Sequence, residues 1–332
     1  MRKTEHIGPL IKNLLVIMAL SLMIFLSYRN TFDASWHLDD RPNITDNKGL
    51  HISDLSPESL IQTFYTSPQQ GGAIVKRPYR PISCLTFALN WYVGQDRVFG
   101  YHLVNLIIHW LTAVCLYYTI KQLLHTPNLA GKYQRNDCLI AFLAATLWAL
   151  NPIQTQAVTY IVQRMASLTA MFYVLSLLFY LKFRLSHHSA VRVFSLLGCV
   201  LGFFLALASK ENAVTLPFAL FFMEVAFLQD LNSIFIRRRI LVITGSAVIL
   251  LILVAAYFNF SLESFSFFQS YKQRPFSMWE RLWTESRIVV FYLSQLFYPA
   301  PYRFSIDHDI DLSTSFLQPW TTLPSFLIVL LL

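Results

Sequence analysis

The sequence predicts an all-α protein that crosses a lipid bilayer many times, and three observations carry the prediction. Hydrophobic residues make up 55% of the 332-residue chain and charged residues only 13%, where a water-soluble domain carries roughly 25% charged residues. Apolar runs close to the ~20 residues needed to span a hydrocarbon core recur along the chain. Lys and Arg gather in the short segments between those runs, as orientation signals do. The expected architecture is a bundle of about eight or more membrane helices, with loops on one face carrying short surface helices. Residues 1–332 form a single transmembrane domain in this reading.

The net charge of +8 does not point to a nucleic-acid partner, because the basic residues lie between hydrophobic runs. The partner they imply is the bilayer. The four cysteines, Cys84, Cys115, Cys138 and Cys199, are isolated and form no C-x-x-C pair. They read as packing residues, so neither a zinc site nor a disulfide framework is supported.

The elements follow in order. Arg2, Lys3 and Lys12 precede the apolar run Leu14 to Tyr28, with no small-x-small cleavage site after it. This reads as an uncleaved first helix with a cytoplasmic N-terminus. Residues 29–97 form the first outer, periplasmic loop, polar and punctuated by Pro and Gly from Asn43 to Gly72. Tyr101 to Ile120 is the second span, and Lys121, Lys132 and Arg135 mark an inner loop. Cys138 to Leu150 returns outward and should end or kink at Asn151-Pro152.

Met165 to Phe183 goes in, Phe194 to Ala208 comes out, and Ser209 to Asn212 turns at the outer face. Ala213 to Leu228 returns, Arg237-Arg238-Arg239 anchors the inner face, and Ile240 to Phe258 goes out again. The inner segments hold about three Lys or Arg each and the short outer turns one each, which puts Asp39 and Asp40 outside. Residues 259–315 form a second outer region. In it, Glu263 to Arg287 reads as a polar loop, and Ile288 to Phe297 as a re-entrant or surface helix stopped by Pro299 and Pro301. The chain ends at Leu332 inside a run that begins near Leu323, so a fragment or a shortened protein is expected.

The stretch Trp36 to Ile44 carries the best candidate for chemistry. It sets two adjacent carboxylates, Asp39 and Asp40, between an aromatic residue and Arg41 at the outer mouth of the bundle. The bland alternative is a solvated turn with a proline brake at Pro42. Cations on the same side are Arg77, Arg80, Arg164, Lys210, Arg274 and Arg303. Arg suits phosphate because its planar fork binds two oxygens at once, and the alternative is snorkelling side chains that only anchor helices.

Glu211 reads as a partner for its neighbour Lys210. His102 and His109 lie seven apart on one helix face with Asn105 between them, a spacing better suited to hydrogen bonds between helices than to metal. Asp307, His308 and Asp309 are candidates for placing an acceptor or, through Asp307 and Asp309, a divalent cation, with a solvated loop as the alternative. No cofactor is assigned beyond that. Glu224 is the one acid well inside a span, which raises the reading of a transporter. Ten glycines, no repeat between halves and polar motifs gathered on one face favour a site that opens outward.

Short matches in chain order give these residues a family resemblance. Asp39-Asp-Arg-Pro42, Arg77-Pro-Tyr-Arg-Pro-Ile-Ser-Cys-Leu-Thr-Phe-Ala-Leu-Asn90 and Tyr101-His-Leu-Val-Asn-Leu-Ile-Ile-His109 are three of them. Asn151-Pro-Ile-Gln-Thr-Gln-Ala-Val158 with Arg164, Ser209-Lys-Glu211 and Asp307-His-Asp309 are the others. Together they resemble the bacterial members of the GT-C glycosyltransferase superfamily, most closely relatives of the transmembrane-and-tetratricopeptide-repeat O-mannosyltransferases. The family's His and Glu in the fourth match are Asn151 and Gln156 here, and no 34-residue repeat follows.

The resemblance implies an enzyme of the bacterial inner membrane. It would move a sugar, mannose-like, from a polyprenyl-phosphate donor to a protein or glycan acceptor at the outer face, with inversion. Such a leaving group is already a stable anion. The reaction therefore needs a carboxylate to take the acceptor's proton and fixed positive charge to hold the phosphate. Asp39 is expected as the base and Asp40 as the residue that orients the loop, since adjacent loop residues point in different directions. Arg77, Arg80, Arg164 and Lys210 are expected at the donor phosphate, with Arg41, His102, Glu211, Arg274, Asp307, His308 and Asp309 in support. A non-catalytic membrane scaffold, beside the transporter, is the other alternative to this enzyme.

Overall fold

The structure is a computed structural model and describes residues 8–67, 72–74, 78–242, 245, 274–305 and 308–332. The chain divides into two units, Met1–Gln229 and Asp230–Leu332. The first contains helices α1 (Pro9–Tyr28), α2 (Pro57–Gln62), α3 (Pro81–Gly94), α4 (Val98–Leu123), α5 (Asp137–Ala149), α6 (Gln154–Thr159), α7 (Arg164–Leu185), α8 (Ser189–Leu207) and α9 (Leu216–Met223). The β-structure described is one two-residue ladder, Thr66–Ser67 against Ala73–Ile74, inside the loop that follows α1.

Five described helical segments are long and apolar enough to cross a membrane: Leu10–Asp33, Val98–Leu123, Ile161–Leu185, Ser189–Leu207 and Glu211–Leu228. Leu10, Leu14, Met18, Leu22 and Phe25 on α1, and Phe194, Leu197, Leu201 and Phe204 on α8, are exposed. Apolar surface on that scale belongs against lipid. The chain is an all-α integral membrane protein.

The expected count of eight or more spans is not what the described residues hold. Cys138 to Leu150 forms α5 of only 13 residues, about 20 Å at 1.5 Å per residue and too short for a hydrocarbon core. The expected span Ile240 to Phe258 lies almost wholly outside the described residues. The first loop also holds more structure than its polarity suggests, because α3, with its proline at the first helical turn, rises within it.

Close packing explains the α7–α8 pair. A Cβ on Gly198 would come within 2.9 Å of the Phe179 ring, and one on Gly202 would collide with the Ser176 Oγ. Gly198-Cys199-Val200-Leu201-Gly202 is a small-xxx-small face that lets two helix backbones approach. Side-chain hydrogen bonds knit the other helices. His109 Nε2 donates to the Ala149 carbonyl at 2.9 Å and the Tyr28 hydroxyl donates to the same oxygen at 3.0 Å, joining α1, α4 and α5.

At the far end of α7 the acid that suggested transport is fully engaged. Arg184 donates to both Glu224 carboxylate oxygens, at 2.9 and 2.7 Å, and the Tyr180 hydroxyl adds a third bond at 2.7 Å. Glu224 thus closes an ion pair between α7 and the π-helical turn Glu224–Leu228.

In the second unit the helix Met278–Phe297 begins ten residues before the expected Ile288, started by a capping box between Ser277 and Glu280. It packs against the helix Thr322–Leu331. Thr284 Oγ1 accepts from the Ser313 amide at 2.9 Å, and the Thr322 hydroxyl donates to Ser313 Oγ at 3.0 Å.

Candidate functional site

The Asp39-Asp40 stretch and the start of α7 meet at one end of the first unit. The turn that presents the acids is tight: the Asp40 amide donates to the His37 carbonyl at 2.8 Å, and Leu38 takes a left-handed backbone, φ 30°. A leucine there is strained by about 1–3 kcal/mol, which the surrounding bonds must hold. Asp40 supplies them. Its side chain is fully buried, with Oδ2 accepting from the His37 amide at 2.9 Å and Oδ1 from the Val162 amide at 2.7 Å. Burial pushes its carboxyl above the ordinary value, against the pull of those two amide bonds.

Asp39 is the opposite. Its side chain is exposed, while its amide is pinned by donating to the Tyr160 hydroxyl at 2.9 Å. Tyr160 sits at the break between α6 and α7, and burial raises its phenol pKa, opposed by the Asp39 amide bond and aided by the charges of the two acids. Adjacent carboxylates therefore face different ways, one into the scaffold and one out.

The Arg-Pro-Tyr-Arg segment and the Ser-Lys-Glu turn come to the same end. The Ile82 amide donates to the Ala208 carbonyl at 3.1 Å and the Ser83 hydroxyl to the Ser209 carbonyl at 3.0 Å, which pins the start of α3 to the end of α8. Arg80, at the N-cap of α3, also has left-handed backbone, φ 43°. Its guanidinium makes a two-pronged pair with Glu211, 3.0 and 2.9 Å, and Nη1 reaches the Met165 sulfur at 3.1 Å. Lys210 is half-buried, and its ammonium has no partner among the described residues. Burial first, then the charge of Arg80, hold its pKa below the ordinary lysine value.

Tyr79 lies between the two groups. Burial raises its phenol pKa, Arg80 opposes this, and the charges of Glu211 and Asp39 add to it. The Arg80 guanidinium stands 5.0 Å over its ring. Asp39, Tyr160, Tyr79, Arg80, Lys210 and Glu211 thus surround one electrostatic neighbourhood.

Arg164 is placed elsewhere, and the expected phosphate role does not fit its position. It is completely buried. Nε donates to Asn105 Oδ1 at 2.7 Å, Nη1 to Asn90 Oδ1 at 2.6 Å and the Thr86 carbonyl at 3.1 Å, and Nη2 to the Tyr101 carbonyl at 2.9 Å. The rings of Phe87 and Tyr101 cover its faces at 4.6 and 5.5 Å. It locks α3, α4 and α7 together and leaves no face for a headgroup.

His102 Nε2 donates to the Ala34 carbonyl at 3.0 Å, so it fastens the loop after α1 to α4; its Nδ1 is buried without a partner. Arg41 is exposed beside the acids. In the second unit, Arg274 stands over the Phe276 ring at 5.7 Å, Arg303 donates to the Tyr298 carbonyl at 2.9 Å, and His308 packs edge-on to Phe291 at 4.9 Å. Asp309 is exposed. Arg77 and Asp307 lie outside the described residues, and among the described residues no cluster of His, Cys, Asp or Glu is built to hold a metal. Tyr79, Tyr160 and Asn90 carry roles that the sequence did not assign.

The fold and this end of it define an α-helical integral membrane protein with Asp39, Tyr79, Arg80, Tyr160, Lys210 and Glu211 gathered at one end of its first unit. Comparison with known proteins places it further. The chain is 30% identical over 183 residues to protein O-mannosyl-transferase Tmtc3 of Drosophila melanogaster, covering 52% of this chain and 19% of that protein. It is 29% identical over 177 residues to a protein O-mannosyl-transferase of Caenorhabditis elegans, 52% and 24% of the two chains. To protein O-mannosyl-transferase TMTC3 of Homo sapiens it is 30% identical over 153 residues, 46% and 15%. The chain is a relative of the membrane protein O-mannosyl-transferases over about half its length, and the match spans about a fifth of theirs. No family model matches it, and no solved structure matches it.

Proposed function

We propose that this protein is a membrane glycosyltransferase of GT-C type that moves a mannose-like sugar from a polyprenyl-phosphate donor to an acceptor, protein first, at the outer membrane face. The observation that carries the proposal is the division of labour at the mouth. One carboxylate, Asp39, is open to solvent on a turn that Asp40 and Tyr160 hold rigid, and Tyr79 feels both its charge and that of Arg80, beside which Lys210 stands. A single displacement needs both kinds of group. The acceptor oxygen attacks the anomeric carbon, the bond from that carbon to the phosphate oxygen breaks, and the phosphate leaves with the electron pair. The acceptor's proton goes to Asp39, and Arg80 and Lys210 hold the departing anion.

The test uses membranes carrying wild type, Asp39→Asn or Asp40→Asn with a radiolabelled polyprenyl-phosphate mannose. Consumption of donor by wild type, abolished in Asp39→Asn at equal expression, is the expected result. Equal consumption by wild type and Asp39→Asn would sink the assignment.

A further inference from the structure

We infer that Glu211 is an internal stand-in for the donor phosphate: it occupies Arg80 when the site is empty, gives way when a phosphate arrives, and returns as the product phosphate leaves. The inference rests on the proposed donor site and adds a regulatory group to it. Four observations meet here. The Arg80–Glu211 pair is two-pronged, through Nε and Nη2, and that fork is the geometry a guanidinium offers to a phosphate as readily as to a carboxylate. The partners are unequally held. The Arg80 side chain is only 22% exposed, whereas the Glu211 side chain is 68% exposed and so free to swing into water.

Arg80 itself is not free to follow. It caps α3 from a left-handed backbone, its third nitrogen rests on the Met165 sulfur at 3.1 Å, and the Ile82 and Ser83 bonds tie the helix start to the end of α8. Lys210, next in sequence to Glu211, keeps an unpartnered, half-buried ammonium beside the pair. One held cation is paired with the movable anion and a second stands beside it unpaired, so the empty site keeps one uncompensated positive charge. A phosphate that displaces Glu211 meets two.

The exchange has a kinetic use. In the displacement proposed above, the leaving phosphate gains negative charge and would bind the two cations more tightly than the donor did. A carboxylate tethered within reach competes with the product for Arg80 and shortens its stay. The same competition weakens binding of any phosphate to the empty site by the fraction of molecules in which Glu211 is bound to Arg80. A surface ion pair of this kind corresponds to an effect of up to about five-fold.

Inorganic phosphate is the probe, titrated into the purified full chain in detergent, with wild type, Glu211→Gln, Glu211→Ala, Arg80→Gln and Lys210→Gln compared at one ionic strength. Glu211→Gln and Glu211→Ala should each bind phosphate about three- to five-fold more tightly than wild type, and Arg80→Gln should bind it more weakly. Unchanged or weaker binding in both Glu211 variants overturns the stand-in role and leaves the donor site standing. Wild-type binding that is insensitive to Arg80→Gln and Lys210→Gln overturns both. Thermal melts of each variant, with and without phosphate, give the same ordering from folded protein alone.

Discussion

Replacing Arg164 by Met should destabilise the bundle rather than empty a phosphate site. The substitution keeps a long stem and removes the guanidinium. Four hydrogen bonds disappear with it. The Thr86 and Tyr101 carbonyls belong to helix ladders and keep a partner there, but Asn90 Oδ1 and Asn105 Oδ1 lose the donor they face. The orphaned acceptor costs about 1–3 kcal/mol at the buried Asn105 and somewhat less at the half-buried Asn90. Relief of the buried charge, which no carboxylate pairs, offsets part of that, and a net loss near 3 kcal/mol remains. In a unit the size of Met1–Gln229 that lowers Tm by roughly 6–12 °C, read by thermal shift in detergent. The phosphate affinity of the molecules still folded should stay within about two-fold of wild type, because Arg164 touches no part of the mouth. An unchanged Tm with a ten-fold loss of phosphate binding would refute this reasoning and restore the role read from the sequence.

Three further outcomes follow from named contacts. Asp40 is bound to two amides yet has a raised pKa from burial, so its contribution to stability is fully present below the ordinary carboxylate pKa and is lost as pH rises through the raised folded value. Wild type minus Asp40→Asn, followed by Tm across acid to neutral pH, should therefore show a difference that shrinks with rising pH; a difference that grows contradicts the burial argument. Gly202→Val should drive α7 and α8 apart at a cost of about 1–3 kcal/mol, visible as a lower Tm, and an unaffected Tm would mean that the small-residue face is not a contact. Glu224→Gln and Arg184→Gln should each lower stability by about 1 kcal/mol and the double variant by little more; strict additivity in that cycle would remove the ion pair as the reason for a charged residue in this helix.

What could be read from the sequence depended on whether a feature was local. The long apolar runs announced their helices, and Asn151-Pro152 marked the end of α5 to within two residues. The start of Met278–Phe297 escaped because its first half carries Glu280, Arg281, Glu285 and Arg287, which spread over the turns of a helix but look like a loop when read as composition. The α7–α8 contact is written in Gly198 and Gly202 at four-residue spacing. Arg164 was misplaced for a different reason. Near a predicted helix end an arginine reads as surface charge, and only the fold shows that Asn90 and Asn105, 74 and 59 positions away, converge on it. Adjacency told no more about Asp39 and Asp40 than that they differ in direction, while the identity of the buried one came from the Val162 amide 122 positions on.

The same long-range bonds tie the spacing of the mouth to the inside of the bundle. Asp40 and Tyr160 fix the Asp39 turn to the two residues that flank Ile161, at the start of α7. Arg164, two and four residues further on, holds α3 through Thr86 and Asn90 and α4 through Tyr101. Arg80 is the cap of that same α3. The distance between the proposed base and the proposed phosphate cation is therefore set by the packing of α3 on α7, with a buried guanidinium as the joint. A site that must align an attacking oxygen, an anomeric carbon and a leaving phosphate gains from such an arrangement, since an error of an ångström costs about a hundred-fold in rate. It also accounts for the use of charge where apolar packing would be cheaper: an arginine with several fixed donors specifies one relative placement of three helices, whereas leucines would accept several.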